Sequence, residues 1–262
     1  MASKKFSISK DTYPTLTIER IKDPNRMWAF PIFGWVAKAI VLIPVFLEIG
    51  LLSAFNFFII IINSFYVFMN RKYWRFAFDL NLGLMRLIAK TTLFFTGVTN
   101  KYPGFNFKIE DKFNLEIPFP QKPNRILAFP ILGPFFRIIL AIPFFIYAGL
   151  IQNGSRVAIL VSFISIFFRG SYPESTYELT RDSLRLGLSS LAFIAGLSDD
   201  YPNFKISTNH LKIKILLIII GLFFNLNWTK NESQMNYQYN NYNYSPSRQY
   251  QKDQRTNQLP VI

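Results

Sequence analysis

The sequence has no cysteine and a single histidine, His210. Disulfide frameworks and thiol chemistry are excluded. One imidazole cannot make a multi-histidine metal site and leaves one possible base for a catalytic triad. Charge is scarce and mostly of one sign. Only 17% of the 262 residues are charged, and 29 Lys and Arg against 15 Asp and Glu give a net charge of +14. No phosphate-binding loop, dinucleotide fingerprint, HExxH or nucleophile elbow occurs. Apolar residues dominate instead: 50% of the chain is hydrophobic and 18% aromatic. That excludes a wholly disordered chain and points to the bilayer as a solvent.

Three apolar stretches stand out, Phe30 to Met69, Phe129 to Phe168 and Ile213 to Leu226. The first two are about twice the roughly 20 residues needed to cross the hydrocarbon core once. Each reads as a helical hairpin, with turns at Ser53-Ala54-Phe55-Asn56 and Gln152-Asn153-Gly154-Ser155-Arg156. The arm after the second turn and the third stretch are short for full crossings. The polar residues 1–12 lack a secretory signal pattern, so the first membrane helix is expected to direct insertion. Lys22, Arg26, Arg71, Lys72, Arg75, Lys122, Arg125 and Arg169 fall at the open ends of the hairpins, and the tips carry only Arg156. By the positive-inside rule the open ends face the cytoplasm. Cations beside membrane helices indicate anionic lipid as partner rather than nucleic acid.

The chain resembles itself at one fixed shift. Pro24-Asn25-Arg26 recurs as Pro123-Asn124-Arg125, Ala29-Phe30-Pro31-Ile32 as Ala128-Phe129-Pro130-Ile131, and Tyr102-Pro103 as Tyr201-Pro202. The shift is 99 residues each time (125 − 26), and about 25 of roughly 82 aligned positions are identical. The reading is a tandem duplication of one membrane module, both copies in the same orientation. Each module closes with a helix, from Glu174 to Gly196 in the second copy, where Leu184, Leu188, Leu191 and Ala195 share a face. These helices read as amphipathic, lying at the interface or across the hairpin feet. Segments of period two, Thr15 to Glu19, Phe105 to Ile109, Phe113 to Ile117 and Phe204 to Ile206, read as short cytoplasmic β-strands, with Glu110-Asp111-Lys112 as a turn. From Asn231 onward Tyr, Asn, Gln and Ser take over without apolar periodicity, a composition expected to be disordered.

The fold class is therefore mostly α and integral to the membrane: a duplicated transmembrane hairpin plus amphipathic helix, with short strands. The expected organisation is a polar N-terminus at 1–12, modules at 13–110 and 111–209, a third apolar helix at 210–228, and a tail at 229–262.

Phe168-Arg169-Gly170-Ser171-Tyr172-Pro173, Ala141-Ile142-Pro143 and Leu197-Ser198-Asp199-Asp200-Tyr201-Pro202-Asn203-Phe204 resemble the signatures of the bacterial membrane proteins of the domain-of-unknown-function family DUF 4389. The resemblance covers two copies over about residues 13 to 206. The family often has His after the membrane-helix Pro; Val45 and Phe144 stand there in this chain. The first copy has Tyr73-Trp74 in place of Tyr-Pro. The resemblance implies architecture, a bacterial source and no agreed activity.

Five residues are candidates for a lipid-headgroup or polar-cavity site. Lys38 and Arg137 hold equivalent positions in the first helices; they either bind headgroups or line a cavity between copies, or they snorkel. Glu48 is a carboxylate inside a membrane segment, either functional or snorkelling near the tip. Arg86 and Arg185 have acidic residues seven positions earlier, Asp79 and Glu178. An ion pair within the helix is the favoured reading, with a phospholipid site as the other. His210 reads as an exposed linker residue. No catalytic residue, cofactor or metal is assigned.

The expected function is that of a non-enzymatic protein of the bacterial cytoplasmic membrane, an accessory or scaffold subunit associating with other subunits or with itself. The alternative is a carrier or channel for a lipid or small solute.

Overall fold

A computed structural model describes residues 15–18, 21, 23–30, 33–105, 113–121, 123–130 and 132–243. The expected polar N-terminus, Lys22, Lys122, the 106–112 segment with its strand and turn, and the chain beyond 243 lie outside the described residues. The elements are β1 (Thr15–Ile18), a 3-10 turn (Met27–Ala29), α1 (Phe33–Asn70), α2 (Arg75–Phe95), β2 (Phe113–Glu116), α3 (Leu132–Arg169), α4 (Glu174–Ile194) and α5 (Leu211–Asn243).

The expected hairpins within the two long apolar stretches do not form. α1 and α3 are each one unbroken helix of 38 residues, about 57 Å long at 1.5 Å per residue. The polar and small residues read as turns are helix contacts instead. Asn56 donates to the Asn81 side chain of α2 at 2.9 Å, and Gly154 is pressed against α5. The chain reverses one element later. At 99-residue equivalents, Arg71 (φ 55°) and Gly170 (φ 68°) take the left-handed conformation that starts each reversal. Pro173 then precedes α4, a place where its missing N–H costs no helical hydrogen bond.

Each hairpin thus joins a long apolar helix to a shorter, more polar one. α2 runs back along α1, fixed by Asn56–Asn81 and by the Trp74 N–H donating to Asn63 at 3.1 Å. α4 runs back along α3, fixed by Ser162 donating to Thr176 at 2.7 Å and Arg137 donating to the Phe193 carbonyl at 2.9 Å.

β1 and β2 form an antiparallel two-stranded sheet in which Leu16 faces Leu115. Leu16, Phe113 and Leu115 point inward and are buried, whereas Thr17 and Glu116 are exposed. This is the alternation of a half-covered sheet. Phe204 to Ile206, expected as a strand, has no ladder; Phe204 packs on Phe144, Tyr147 and Tyr201 instead.

The layers follow from helix periodicity. On α2, Leu87 and Phe94 cluster with Leu42 and Val45 of α1. The opposite side presents Phe78, Met85 and Ala89 to the cluster that holds Leu16, Phe113 and Leu115. α4 repeats this with Leu179 and Leu186 against Phe144 and Ala158 of α3, and Tyr177 and Leu188 in the sheet-side cluster. The Arg86 Nε donates to the Leu115 carbonyl at 3.1 Å, and the Tyr177 hydroxyl to the Ile18 carbonyl at 2.9 Å. The order is sheet, then α2 with α4, then α1 with α3. α2 and α4 are therefore covered on two sides rather than lying amphipathically at a surface, which corrects the expectation for them. Each fully buried side chain such as Tyr172, Phe144 or Phe193 contributes about 1.5–3 kcal/mol.

Contacts between the halves recur at the 99-residue shift with partners exchanged. Phe30 meets Phe167 at 5.1 Å between ring centroids, and Phe68 meets Phe129 at 5.3 Å. The Tyr73 hydroxyl donates to the Ala195 carbonyl at 3.3 Å, and the Tyr172 hydroxyl to the Thr96 carbonyl at 3.5 Å. The start of α1 thus lies at the end of α3 and the reverse, so the two long helices run antiparallel.

α5 begins against α4 and passes α3 where Gly154 meets Ile218 and Gly221 meets Asn153. Among the described residues, α1, α3 and the Leu211–Trp228 part of α5 are the three helices long and apolar enough to cross a membrane. Where disorder was expected from Asn231, the helix continues to Asn243.

Candidate functional site

Arg137 is the most fully engaged of the candidate residues. It lies one turn into α3 and is 3% exposed. Its guanidinium donates to the carbonyls of Leu127 (3.1 Å), Phe193 (2.9 Å) and Ser198 (2.8 Å) and pairs with Asp199. Asp199 also accepts the Asn124 N–H at 2.6 Å. The planar fork of arginine suits such a divided set of acceptors. The cation thus binds the last turn of α4 and the loop after it to the entry of α3.

Lys38, its equivalent, is 2% exposed and is met differently. Its ammonium lies over the Phe163 ring at 4.7 Å and the Phe94 ring at 5.5 Å. Where the second half has Asp199, the first has Asn100, which accepts the Asn25 N–H. Lys38 therefore has cation–π contacts and, among the described residues, no carboxylate partner. Lys38 and Arg137 do not face one another. Phe163, beside Lys38, is about seven helical turns along α3 from Arg137. The space between the halves nearest Arg137 is a small chamber lined by Asn63, Tyr73, Leu127 and Gly196.

A second polar cluster joins α4 to α5. Lys214, buried to 0% exposure, donates to Glu178 at 2.8 Å and to the Ser207 carbonyl at 2.9 Å. Ser207 and Asn209 also donate to Glu178. Asp182 accepts from Arg181 at 2.9 Å and from the Ser207 N–H at 2.7 Å. Burial acts to raise the Glu178 carboxyl, but the bonds from Lys214, Asn209 and Ser207 outweigh it and hold the group below its ordinary value.

The expected ion pairs within the helices do not form. Glu178 pairs with Lys214 rather than Arg185, and Asp79 pairs with Arg75 at 3.4 Å rather than with Arg86. Arg86 is half-buried and spends its Nε on β2. Arg185 is 5% exposed, and its Nε has no hydrogen-bond partner among the described residues. Burial lowers both guanidinium groups, opposed by Glu116 and Asp79 at Arg86 and by Asp182 at Arg185. Glu48 lies half-buried on α1, its Oε2 without a partner among the described residues. The five candidates thus occupy separate places rather than one site. His210 is partly exposed, 4.0 Å from Glu174. Among the described residues, no group of three or more His, Asp or Glu is placed to hold a metal.

Spacing within α4 could not reveal Lys214, Ser207 or Asn209, because they arrive from a different element. One signal was present: Lys214 is a cation at the start of the third apolar run, two residues after Lys212.

The second half carries a recognisable domain. Residues 133–205 match the domain of unknown function DUF4389. The DUF4389 segment runs from α3 through α4 to the segment that packs Phe204 on Phe144, and so contains Arg137, Asp199 and the acidic residues of the α4 cluster. It covers one copy, and Lys214 lies beyond it. No curated protein and no solved structure matches the chain.

Proposed function

We propose that the protein is a non-enzymatic membrane protein, an accessory or scaffold subunit of a complex in the bacterial cytoplasmic membrane, built from two tandem copies of one module. The duplication is supported by the 99-residue register and by the exchanged contacts of Phe30, Phe68, Tyr73 and Tyr172 with the opposite half. These contacts correspond to a pseudo-two-fold axis through the Leu16–Leu115 pair.

One observation carries the functional reading. The buried charges with the most partners, Arg137 and the Glu178–Lys214 pair, are bound to backbone and side chains that hold helices together. Aromatic side chains fill the junction of the halves. What is left outside is extensive apolar surface on α1, α3 and α5, suited to lipid and to other membrane subunits. Cations at the helix ends, including Arg26, Arg71, Lys72, Arg125 and Arg169, favour anionic lipid and the cytoplasmic face.

Lys38 favours a second reading, carriage of an anionic lipid or small solute, because it is buried with no carboxylate partner among the described residues. Gentle purification of the tagged protein from its native membrane, with and without the tail, read by protein and lipid mass spectrometry, separates the two. Stoichiometric protein partners support the subunit reading. A lone protein retaining one lipid or solute class overturns it in favour of carriage.

A further inference from the structure

We infer that α1 and α3 lie flat in one leaflet of an anionic phospholipid bilayer instead of crossing it. The inference rests on the membrane setting above and adds how the molecule is seated.

The two faces of the layered structure differ in kind. The outermost layer is α1 with α3. Phe33, Ile40, Leu47, Leu51, Phe58 and Met69 of α1 are all exposed, and no charged residue of α1 is exposed. Lys38, Asn56 and Asn63 of that helix are turned inward and buried and Glu48 is half-buried, leaving the uncharged Ser53 and Asn70 exposed. The opposite face of the molecule is the β1–β2 sheet, whose outer side carries exposed Thr17 and Glu116. Arg75 and Asp79, at the start of α2, are also largely exposed.

The sheet lies over the middle of the helices. Arg86, midway along α2, bonds β2, and the Leu16–Leu115 pair lies on the proposed pseudo-two-fold axis. That axis is perpendicular to the antiparallel α1 and α3. If these helices stood along the membrane normal, the sheet would be held at mid-depth in hydrocarbon. The exposed outer side of the sheet, with the Glu116 carboxylate, would then face lipid chains. A charged side chain at that depth is costly.

Turning the axis onto the membrane normal removes the conflict. The sheet then faces water, and both long helices turn apolar side chains to the bilayer, α3 with the exposed Gln152 and Arg156 at its middle. Helix length fits as well. About 57 Å exceeds a hydrocarbon core of about 30 Å but meets no limit in the plane. Exposed Arg26, Arg71, Lys72, Arg125 and Arg169 then stand at the rim of the apolar layer, at the depth of lipid phosphates.

The absence of cysteine makes the test direct. Single cysteines are introduced by Met27→Cys and Lys72→Cys at the two ends of α1, Thr17→Cys on the sheet and Leu51→Cys mid-helix, all at exposed positions. Each variant is probed with an impermeant maleimide in sealed membrane vesicles of known sidedness. The expected result is labelling of Met27→Cys, Lys72→Cys and Thr17→Cys from one and the same side, and none at Leu51→Cys. Labelling of Met27→Cys and Lys72→Cys from opposite sides overturns the inference.

Polarised infrared spectroscopy of the unmodified protein in oriented phosphatidylethanolamine–phosphatidylglycerol bilayers gives an independent check. Helix axes mainly in the plane support the inference, and axes mainly along the normal overturn it. Extraction of the protein from membranes by alkaline carbonate overturns the membrane setting itself. Absence of partner proteins in the purification bears only on the subunit reading.

Discussion

Leu16 and Leu115 face each other across the two-stranded sheet and are separated by 99 residues, the spacing at which the sequence resembles itself. A residue paired with its own 99-residue equivalent marks the point about which the two halves of the chain exchange places. Thr17 pairs with Asn114, the equivalent of Thr15, and Thr15 pairs with Glu116, the equivalent of Thr17. The same exchange governs the aromatic contacts at the helix ends and the two tyrosine hydroxyls. An isologous contact of this kind is what a two-fold homodimer uses. Here it lies within one chain, which removes the concentration dependence of assembly.

The tyrosines test how much the exchange contributes. Tyr73 and Tyr172 are both buried, and burial raises both phenols above their ordinary value, so each hydroxyl stays protonated and able to donate. Tyr172→Phe keeps the ring and removes the hydroxyl's bonds, those with the Thr96 carbonyl and the Thr180 hydroxyl among them, and is expected to cost about 0.5–1.5 kcal/mol for each bond lost. Tyr172→Ala also leaves a cavity and is expected to cost about 3–5 kcal/mol. Thermal unfolding in detergent measures both. Equal effects would show that the hydroxyl, and not the ring, holds the halves together.

Arg137 and Asp199 form a partly buried pair whose loss leaves three carbonyls and a carboxylate without their donor. Arg137→Ala is expected to destabilise by about 3–5 kcal/mol. Arg137→Lys restores the charge but not the fork and is expected to recover only part of the loss. The same measurement checks it, with Lys38→Ala as comparison. Lys38 lacks the carbonyl set, so its replacement is expected to cost less than that of Arg137.

Glu178 predicts a pH dependence. Its carboxyl is held below the ordinary 4.5 in the folded protein, so folding favours the ionised form. The stability this contributes is complete above the unfolded value and is lost as pH falls through the folded one. Limited proteolysis at the α4–α5 connection is expected to accelerate below about pH 4.5. Glu178→Gln is expected to cleave faster at neutral pH and to lose that part of the pH response. An unchanged acid profile in Glu178→Gln would assign the response to another carboxylate.

Two strand positions, Thr15–Ile18 and Phe113–Glu116, were legible in the sequence as local period-two pattern, whereas their pairing with each other is supplied by the tertiary fold. The hairpin turns were misplaced for a physical reason. Asn153-Gly154-Ser155 has the composition of a turn, but a helix also needs small residues where another helix crosses it, and α5 crosses there. Ser53 to Asn56 misled in the same way, since Asn56 is a helix-to-helix hydrogen bond. The real reversals rest on Arg71 and Gly170, and only the second carries the glycine that announces a left-handed residue. The polar sites were partly legible. Arg137 and Lys38 were visible as cations in apolar helices, whereas Asp199 and Lys214 are partners that only the tertiary fold supplies.

Gly154 and Gly221 test the crossing. A Cβ at Gly154 would sit 2.5 Å from the Ile218 side chain and 3.0 Å from its Cα, and one at Gly221 would meet the backbone of Asn153. Backbone cannot yield as a flexible side-chain end does, so Gly154→Ala and Gly221→Ala are expected to push α5 off α3 and destabilise by about 1–3 kcal/mol. At Gly149 a Cβ meets nothing within 4 Å, and Gly149→Ala is expected to be neutral or slightly stabilising. Protease protection of α5 in the three variants distinguishes them.

α5 differs from α1 and α3 in length and in attachment. Its apolar part, Leu211–Trp228, has 18 residues, about 27 Å as helix, close to one hydrocarbon thickness. Lys214 ties its start to Glu178 on α4, the layer between the sheet and the long helices. From there it passes beside α3 at Gly154, leaving large exposed apolar residues such as Phe223, Phe224 and Trp228 beyond the crossing. A helix that starts in the middle layer and continues past the membrane-facing one is placed to cross. Met235→Cys, at an exposed position of the polar end, is therefore expected to react with impermeant maleimide from the side opposite to Lys72→Cys. Reaction from the same side would place α5 in the plane with α1 and α3, and would keep the Tyr- and Asn-rich tail on the face that carries the sheet.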